Sequence, residues 1–350
     1  TTQLKKGVFI GFTKLFNQLD ALGQAIGISK TDRIASWLPL YHDMGLISGF
    51  FLPLYFGIRV DYLHPITWSY KPNLLLEIIQ QEQSTLCWQP NFAFSHILNY
   101  YSKSGQPVPD MSSLRLMINC SEVCKYSSFF NFESFFIPHG LGSGVLQCCY
   151  AMAENVFAVT QTSFTGSVPE MPVYQDTLSS GSVLEGNLIR VVNTDDGAGE
   201  IQISSKTMFE AYILDDSAKF TDDGWYRTGD LGVIIEDHLF VVGRIDDVVI
   251  INGRKIQAHY IEALVSENPN VKSGRVLVTG NSVNSGLCVF YEGEGLTTQD
   301  QRDISIQVHS SSSVSIDRFV HLPPATLVKS TSGKISRKKS LIKLESLSFL

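Results

Sequence analysis

From residue 8 to about residue 160 the hydrophobic period of the chain changes repeatedly, and this alternation constrains the fold most. "FTKLFNQLDALGQAIG" spaces its apolar residues for a helix and ends on a glycine suited to a C-cap. "KPNLLLEIIQQEQ" predicts a second helix with Pro72 at its start. "GIRVDYL", "STLCWQ" and "RLMINC" are short strand-like runs between helices. Helices alternating with strands imply an α/β domain, a largely parallel sheet with helices on its faces.

The texture changes at Gly181. "NLIRVVNTDDGAGEIQIS" is two strand-like runs about an Asp-Asp-Gly turn, and "LGVIIEDHLFVVGR" is a second hairpin signal. Both fit a small antiparallel β subdomain. After Gly243, "HYIEALVSE" and "DQRDISIQVHS" read as helices, and "GRVLVTG", "LCVFYEG" and "RFVHLP" as strands. "HSSSSVS" reads as a flexible helix end. The expected organisation is a large domain over 1–243 (α/β over 1–165, β subdomain over 166–243) and a small α+β domain over 244–350.

Bulk composition excludes several functions. Hydrophobic residues make up 44% and charged residues 17% of 350, the profile of a globular protein. A formal net charge of −7 argues against nucleic acid as a partner. The six cysteines form no CxxC pair, which points to buried thiols in a reducing compartment and not to zinc. "MGLISGFFLPLYFGIRV" is interrupted by Pro53 and falls short of the ~20 residues of a membrane span. The expectation is a cytoplasmic protein, seen from an internal starting point because the chain begins with Thr1.

Several polar stretches fall where a core would not want them. "STSGKISRKKS" surrounds Lys334 with small polar residues in the manner of a phosphate site. It is not a P-loop, because Val328 and Ile335 stand where that motif needs glycine and Ser or Thr. "TTQLKKGV" offers hydroxyls and lysines, and a solvated terminus is equally compatible with it. "SWLPLYHDMGL" puts His42 and Asp43 in an apolar setting, where a satisfied buried pair is the simplest reading. "CYAMAENVF" places Tyr150 and Glu154 four residues apart. "WYRTGDLG" is followed closely by "GRIDDVVIINGRKI".

In this order, these stretches resemble the adenylate-forming superfamily, and within it the fatty-acyl-AMP ligases. "SWLPLYHDMGL", "NCSE" and Ile250 in "VVIINGRKI" carry the closer resemblance. It implies a mobile small domain and ATP-dependent activation of a fatty or other lipophilic acid as acyl-AMP. It further implies transfer to a carrier-protein phosphopantetheine thiol, or to coenzyme A. By the same resemblance Lys334 is the catalytic lysine, and Glu154 coordinates Mg²⁺. Tyr150 stacks on adenine beside Ala151, Met152 and Ala153, with Ser121 and Glu122 close to the nucleotide. Asp230 and Arg244 take the ribose, and Asp246 is the interdomain hinge. Thr1, Thr2 and Lys6 are the tail of a phosphate-gripping loop. His42, Asp43, Met44 and Gly45 border the acid site, and the apolar stretch after Gly45 walls an acyl tunnel.

The chain departs from that family in places. The phosphate loop is cut at Thr1, Lys5 and Val328 replace usual prolines, and Ala151 replaces a glycine. The segment 160–182 is shorter than the region that carries an insertion in fatty-acyl-AMP ligases, so the acceptor is open between carrier protein and coenzyme A. A non-catalytic binding or scaffold protein is the alternative from another class. The basic tail (Lys329, Lys334, Arg337, Lys338, Lys339, Lys343) reads either as a solvated end or as a docking surface for an acidic carrier protein.

Overall fold

The computed structural model describes residues 7–193, 197–213, 219–251, 254–280, 286–329 and 335–349. They fall into two compact units, one over residues 7–242 and the other from Gly243 onward.

The first unit is built on a seven-stranded sheet. Its spatial order is Ser182–Val183, Ala158–Gln161, Leu146–Ala151, Leu116–Cys120, Leu86–Gln89, Arg33–Ser36, Arg59–Tyr62. The five strands from Leu146–Ala151 to Arg59–Tyr62 are mutually parallel, and the other two add antiparallel at one edge. The fold is therefore α/β with a mainly parallel sheet. The helix Phe12–Ala25 ends as its sequence suggests, with Gly27 at φ 58° accepting the left-handed step. Asn73–Glu82 follows Pro72, and Asn91–Ser104 and Tyr126–Phe136 complete the larger helices. Burial of Leu86, Cys87, Trp88 and Gln89 in a single strand shows why these strands read as continuous apolar runs.

The chain goes from Arg33–Ser36 outward to Arg59–Tyr62, then returns to Leu86–Gln89 on the other side. Connections thus diverge between Arg33–Ser36 and Leu86–Gln89, and in open parallel sheets ligands bind outside the strand carboxyl ends at such a point. Here that edge carries Trp37, stacked on Trp68 at 3.5 Å between ring centroids, with Phe92 edge-on to both.

The stretch after His42 is helical throughout: Asp43–Leu46, a π-helical turn Ile47–Phe51, then Leu52–Phe56. Pro53 sits in the first turn after the π segment, where its missing N–H costs little. A four-stranded sheet in the order Asn187–Asn193, Gly199–Ser205, Tyr226–Ile235, His238–Arg244 contains both expected hairpins. Glu236 and Asp237 turn the second one with φ 48° and 65°.

The second unit packs the helices Ala258–Ser266 and Thr298–Ser312 with a sheet of Val271–Gly280, Leu287–Gly293 and Ile316–Leu322. The serine run forms the end of the helix Thr298–Ser312, where the Ser311 and Ser312 hydroxyls bond back to the Gln307 and Val308 carbonyls. Within the basic tail, Arg337–Ser346 is a helix that buries Ser340 and Leu344. Among the described residues no helix is long and apolar enough to cross a membrane.

Candidate active site

Tyr150 lies at the end of the parallel strand Leu146–Ala151, at the sheet edge where ligands are expected. Its ring is buried, 7% exposed, among Val159, Ile201, Phe209 and Tyr226. Its hydroxyl donates to Asp230 Oδ2 at 2.6 Å. Asp230 reaches this point because its strand bulges. Gln202 and Glu200, two residues apart, oppose Arg227 and Leu231, four apart. Gly229 takes φ 72° within the bulge, and the Thr228 hydroxyl braces it between Ile201 O and Asp230 N. "TGD" is thus a three-residue device for pushing one carboxylate out of a sheet.

Ala151 pairs with Ala158 at a register shift, and a tight turn, Ala153–Asn155, follows Met152. This turn presents Glu154. Tyr212 donates to Glu154 Oε1 at 2.5 Å, and the Tyr226 hydroxyl lies 2.8 Å from that of Tyr212. Burial, then the Glu154 carboxylate and the Tyr226 hydroxyl, raise the Tyr212 phenol well above its ordinary range, so it stays a donor. Neither tyrosine was singled out from sequence. Each sits in a strand as an ordinary aromatic, and only the fold brings them to Glu154.

At the end of Leu116–Cys120, Ser121 adopts φ 70°, and its hydroxyl lies 4.0 Å from Met44 Sδ. Glu122 receives the Phe92 amide at 2.9 Å, serving the open start of Asn91–Ser104. The 42–45 turn and the end of this strand are therefore neighbours. His42 Nδ1 is 2.7 Å from Asp43 Oδ1, and both accept from Met44 N. Met44 is buried, and a side chain at Gly45 would collide with the Pro39 carbonyl.

In the second unit Arg244 and Asp246 are exposed, Asp246 within the turn Ile245–Asp247. Thr1, Thr2, Lys6 and Lys334 lie outside the described residues. The residues bracketing 330–334 are paired, Lys329 with Ile335, and Ser336 N donates to Val328 O at 2.8 Å. Buried Glu292 accepts from Ala325 N and Leu327 N on the approaching side. Arg337 binds Asp247 at 3.1 Å, Glu262 at 2.6 Å and Val278 O at 2.5 Å. All six cysteines, which lie among the described residues, are buried thiols.

A magnesium ion bound to a nucleotide asks little of a protein: one or two carboxylates, with phosphate oxygens and waters completing its shell. Glu154 fits, because Tyr212 engages one oxygen and leaves Oε2 without a protein partner among the described residues.

The sequence profile described as AMP-binding enzyme matches residues 1–213. Among curated proteins the chain is 29% identical to "Probable long-chain-fatty-acid--AMP ligase FadD30" of Mycobacterium tuberculosis, over 87% of this chain and 60% of that one. It is 26% identical to the "Medium-chain-fatty-acid--[acyl-carrier-protein] ligase JamA" of Moorena producens, over 98% and 66%. The chain thus spans about 60% of the length of the first curated relatives it matches. A solved structure from a study of fatty acyl-adenylate ligases of E. coli and L. pneumophila superposes with TM-score 0.86 at 23% identity. That superposition covers 98% of this chain and 68% of the other. The McyG A-PCP structure with phenylalanyl-adenylate gives TM-score 0.88 at 21% identity, over 99% and 57%. The profile takes in well over half of the 350 residues and includes the Tyr150–Glu154 turn, and this protein belongs to the AMP-binding enzyme family.

Proposed function

We propose that the protein, acting in the cytoplasm, activates a fatty or other lipophilic carboxylic acid with ATP as acyl-AMP, and passes the acyl group to a carrier-protein phosphopantetheine thiol. One observation carries this reading: Asp230 comes from a different motif than Tyr150 and Glu154, yet Tyr150 bonds Asp230 directly and Glu154 follows Tyr150 by four residues, at the carboxyl edge of a parallel sheet. In this role Asp230 accepts the ribose hydroxyls, which a carboxylate on a rigid bulge is suited to do. Arg244 adds a donor to the same sugar. Tyr150, Ala151, Met152 and Ala153 form the adenine side, with Ser121 and Glu122 at its border. The support for Tyr150 in this structure is its hydroxyl on Asp230, and its stacking on adenine rests on the family resemblance.

Thr1, Thr2 and Lys6 serve the phosphates. His42, Asp43, Met44 and Gly45 edge the acid site, and the Trp37–Trp68 stack with Phe92 supplies an apolar wall beside it. Mg²⁺, when bound through Glu154, neutralises phosphate charge. Lys334 supplies a cation where negative charge grows on the α-phosphate oxygens, which lowers the barrier more than it tightens binding. Asp246 is the hinge on which the 244–350 domain turns between the two half-reactions.

Pyrophosphate exchange with a panel of carboxylic acids tests this reading. Exchange that requires a lipophilic acid supports it, and exchange with amino acids alone would replace it. Coenzyme A as acceptor is a second reading, favoured by 26% identity to a Mycobacterium bovis protein named as a fatty-acid–CoA ligase, FadD21. Thioester formation with each thiol separates the two.

The basic tail is only partly available to a partner. Arg337 is spent on Asp247 and Glu262, and Lys343 bonds Ala325 O at 3.0 Å. Lys338 and Lys339 remain exposed, on the same helix as exposed Ile342. An acidic carrier protein docking there gains mainly association rate from such rim charges. Reversing both lysines to glutamate is expected to slow acyl transfer several-fold at low salt and flatten its salt dependence, with adenylate formation unchanged. Identical transfer kinetics at low salt would remove this face from the docking surface.

A further inference from the structure

A strained turn and a chain of two phenols hold Glu154, and they give a task to a residue outside the sequence motifs. Val156 has φ 63° and ψ −55°, a strained conformation for a β-branched residue. Phe157 N donates to Asn155 O at 2.7 Å, so residues 155–157 form a γ-turn of the rarer, strained hand. Fully buried Asn155 fastens it, donating to Ala158 O (3.0 Å) and Asn187 Oδ1 (3.1 Å) and accepting from the Thr207 hydroxyl (2.9 Å). Phe209 N donates to Glu154 O at 2.6 Å. The backbone of Glu154 is therefore fixed from both sides before its side chain is considered.

We propose that Tyr212 is a positioning residue for cation binding at the nucleotide. Its hydroxyl, backed by Tyr226, holds Oε1 of Glu154 and reserves Oε2 for the metal. This rests on the reading in which Glu154 carries Mg²⁺. Tyr212 donates its one proton to Glu154, so buried Tyr226 donates to Tyr212, and the chain runs in one direction. Partners that orient metal-binding carboxylates typically matter 10–100-fold in metal affinity.

The experiment uses the natural full-length protein, a non-hydrolysable ATP analogue, and Mn²⁺ as a paramagnetic stand-in for Mg²⁺. Tyr212→Phe is expected to weaken Mn²⁺ binding in the analogue complex about 10-fold. Analogue binding in chelator should stay within about twofold of the parent, an outcome that a merely structural role would not give. In a Glu154→Gln background, Tyr212→Phe should change nothing further. Unchanged Mn²⁺ affinity, or a full additional loss in that background, would overturn the proposal. If Glu154→Gln itself leaves Mn²⁺ binding intact, the metal role of Glu154 falls, and the proposal with it. Should Tyr212→Phe fold poorly, Tyr226→Phe carries the same test and is expected to show a smaller loss in the same direction.

Discussion

Lys334→Ala is expected to slow acyl-adenylate formation by about 10²–10³, the usual loss when a group aimed at developing oxyanion charge is removed. The same variant, supplied with pre-made acyl-adenylate and carrier protein, should transfer the acyl group at close to the parent rate. On the proposed reading, in which the small domain turns between steps, the asymmetry follows because a cation needed at the α-phosphate has no task once pyrophosphate has left. The structure adds a physical reason for a localised effect. The residues bracketing 330–334 are held by Lys329–Ile335 pairing, by Glu292 on one side and by Arg337 on the other. Single-turnover kinetics on both half-reactions check this. Equal losses in the two would mean that Lys334 serves folding or docking.

The largest expected stability effect lies far from this chemistry, at Asp32. Its carboxylate is buried and held by Arg115 through two bonds of 2.7 Å, by the Thr85 hydroxyl at 2.6 Å and by Ser29 N at 2.8 Å. Burial alone pushes this carboxyl up from 3.8. Arg115, then Thr85 and Ser29, outweigh burial and hold it at about 2. Arg115→Ala strands that charge in the interior. The expected cost is about 2–4 kcal/mol, below the figure for a fully buried pair because Arg115 is partly exposed. For a protein of 350 residues that lowers Tm by about 3–5 °C.

The pH dependence has a definite sign. A depressed carboxyl stabilises the fold fully above its unfolded value of 3.8, and loses this contribution as pH falls through about 2. Acid unfolding of Arg115→Ala should therefore begin at higher pH than in the parent. Superimposable thermal and acid curves would show the pair to be energetically idle.

Sequence periodicity located most of the scaffold. Strands such as Leu86–Gln89 and Leu116–Cys120 announce themselves because burial on both faces demands an unbroken apolar run. The first hairpin was announced by Asp-Asp-Gly between two strand-like runs, and the second by the run "LGVIIEDHLFVVGR". The terminal helix Arg337–Ser346 was hidden under its own charge. Its buried side is only Ser340 and Leu344, too narrow a stripe to stand out among lysines.

The site was legible where a local motif builds it, and not where the fold does. Thr228-Gly229-Asp230 is a self-contained bulge, so its three residues could be read from the chain. Tyr212 lies 58 residues from Glu154, and nothing in its neighbours marks it. Arg337 misled in the opposite direction. Beside Lys338 and Lys339 it looked like part of a surface patch, yet it spans Asp247 and Glu262 within its own unit.

The central claim is that one active site joins a lipophilic acid to AMP. Incubating the natural full-length protein with α-labelled ATP, Mg²⁺ and a long-chain fatty acid, then resolving the labelled products, tests it most directly. Labelled acyl-AMP is expected, formed in step with pyrophosphate and lost in both Lys334→Ala and Asp230→Ala. Label appearing in ADP, or label remaining in ATP while the analogue still binds, would contradict it.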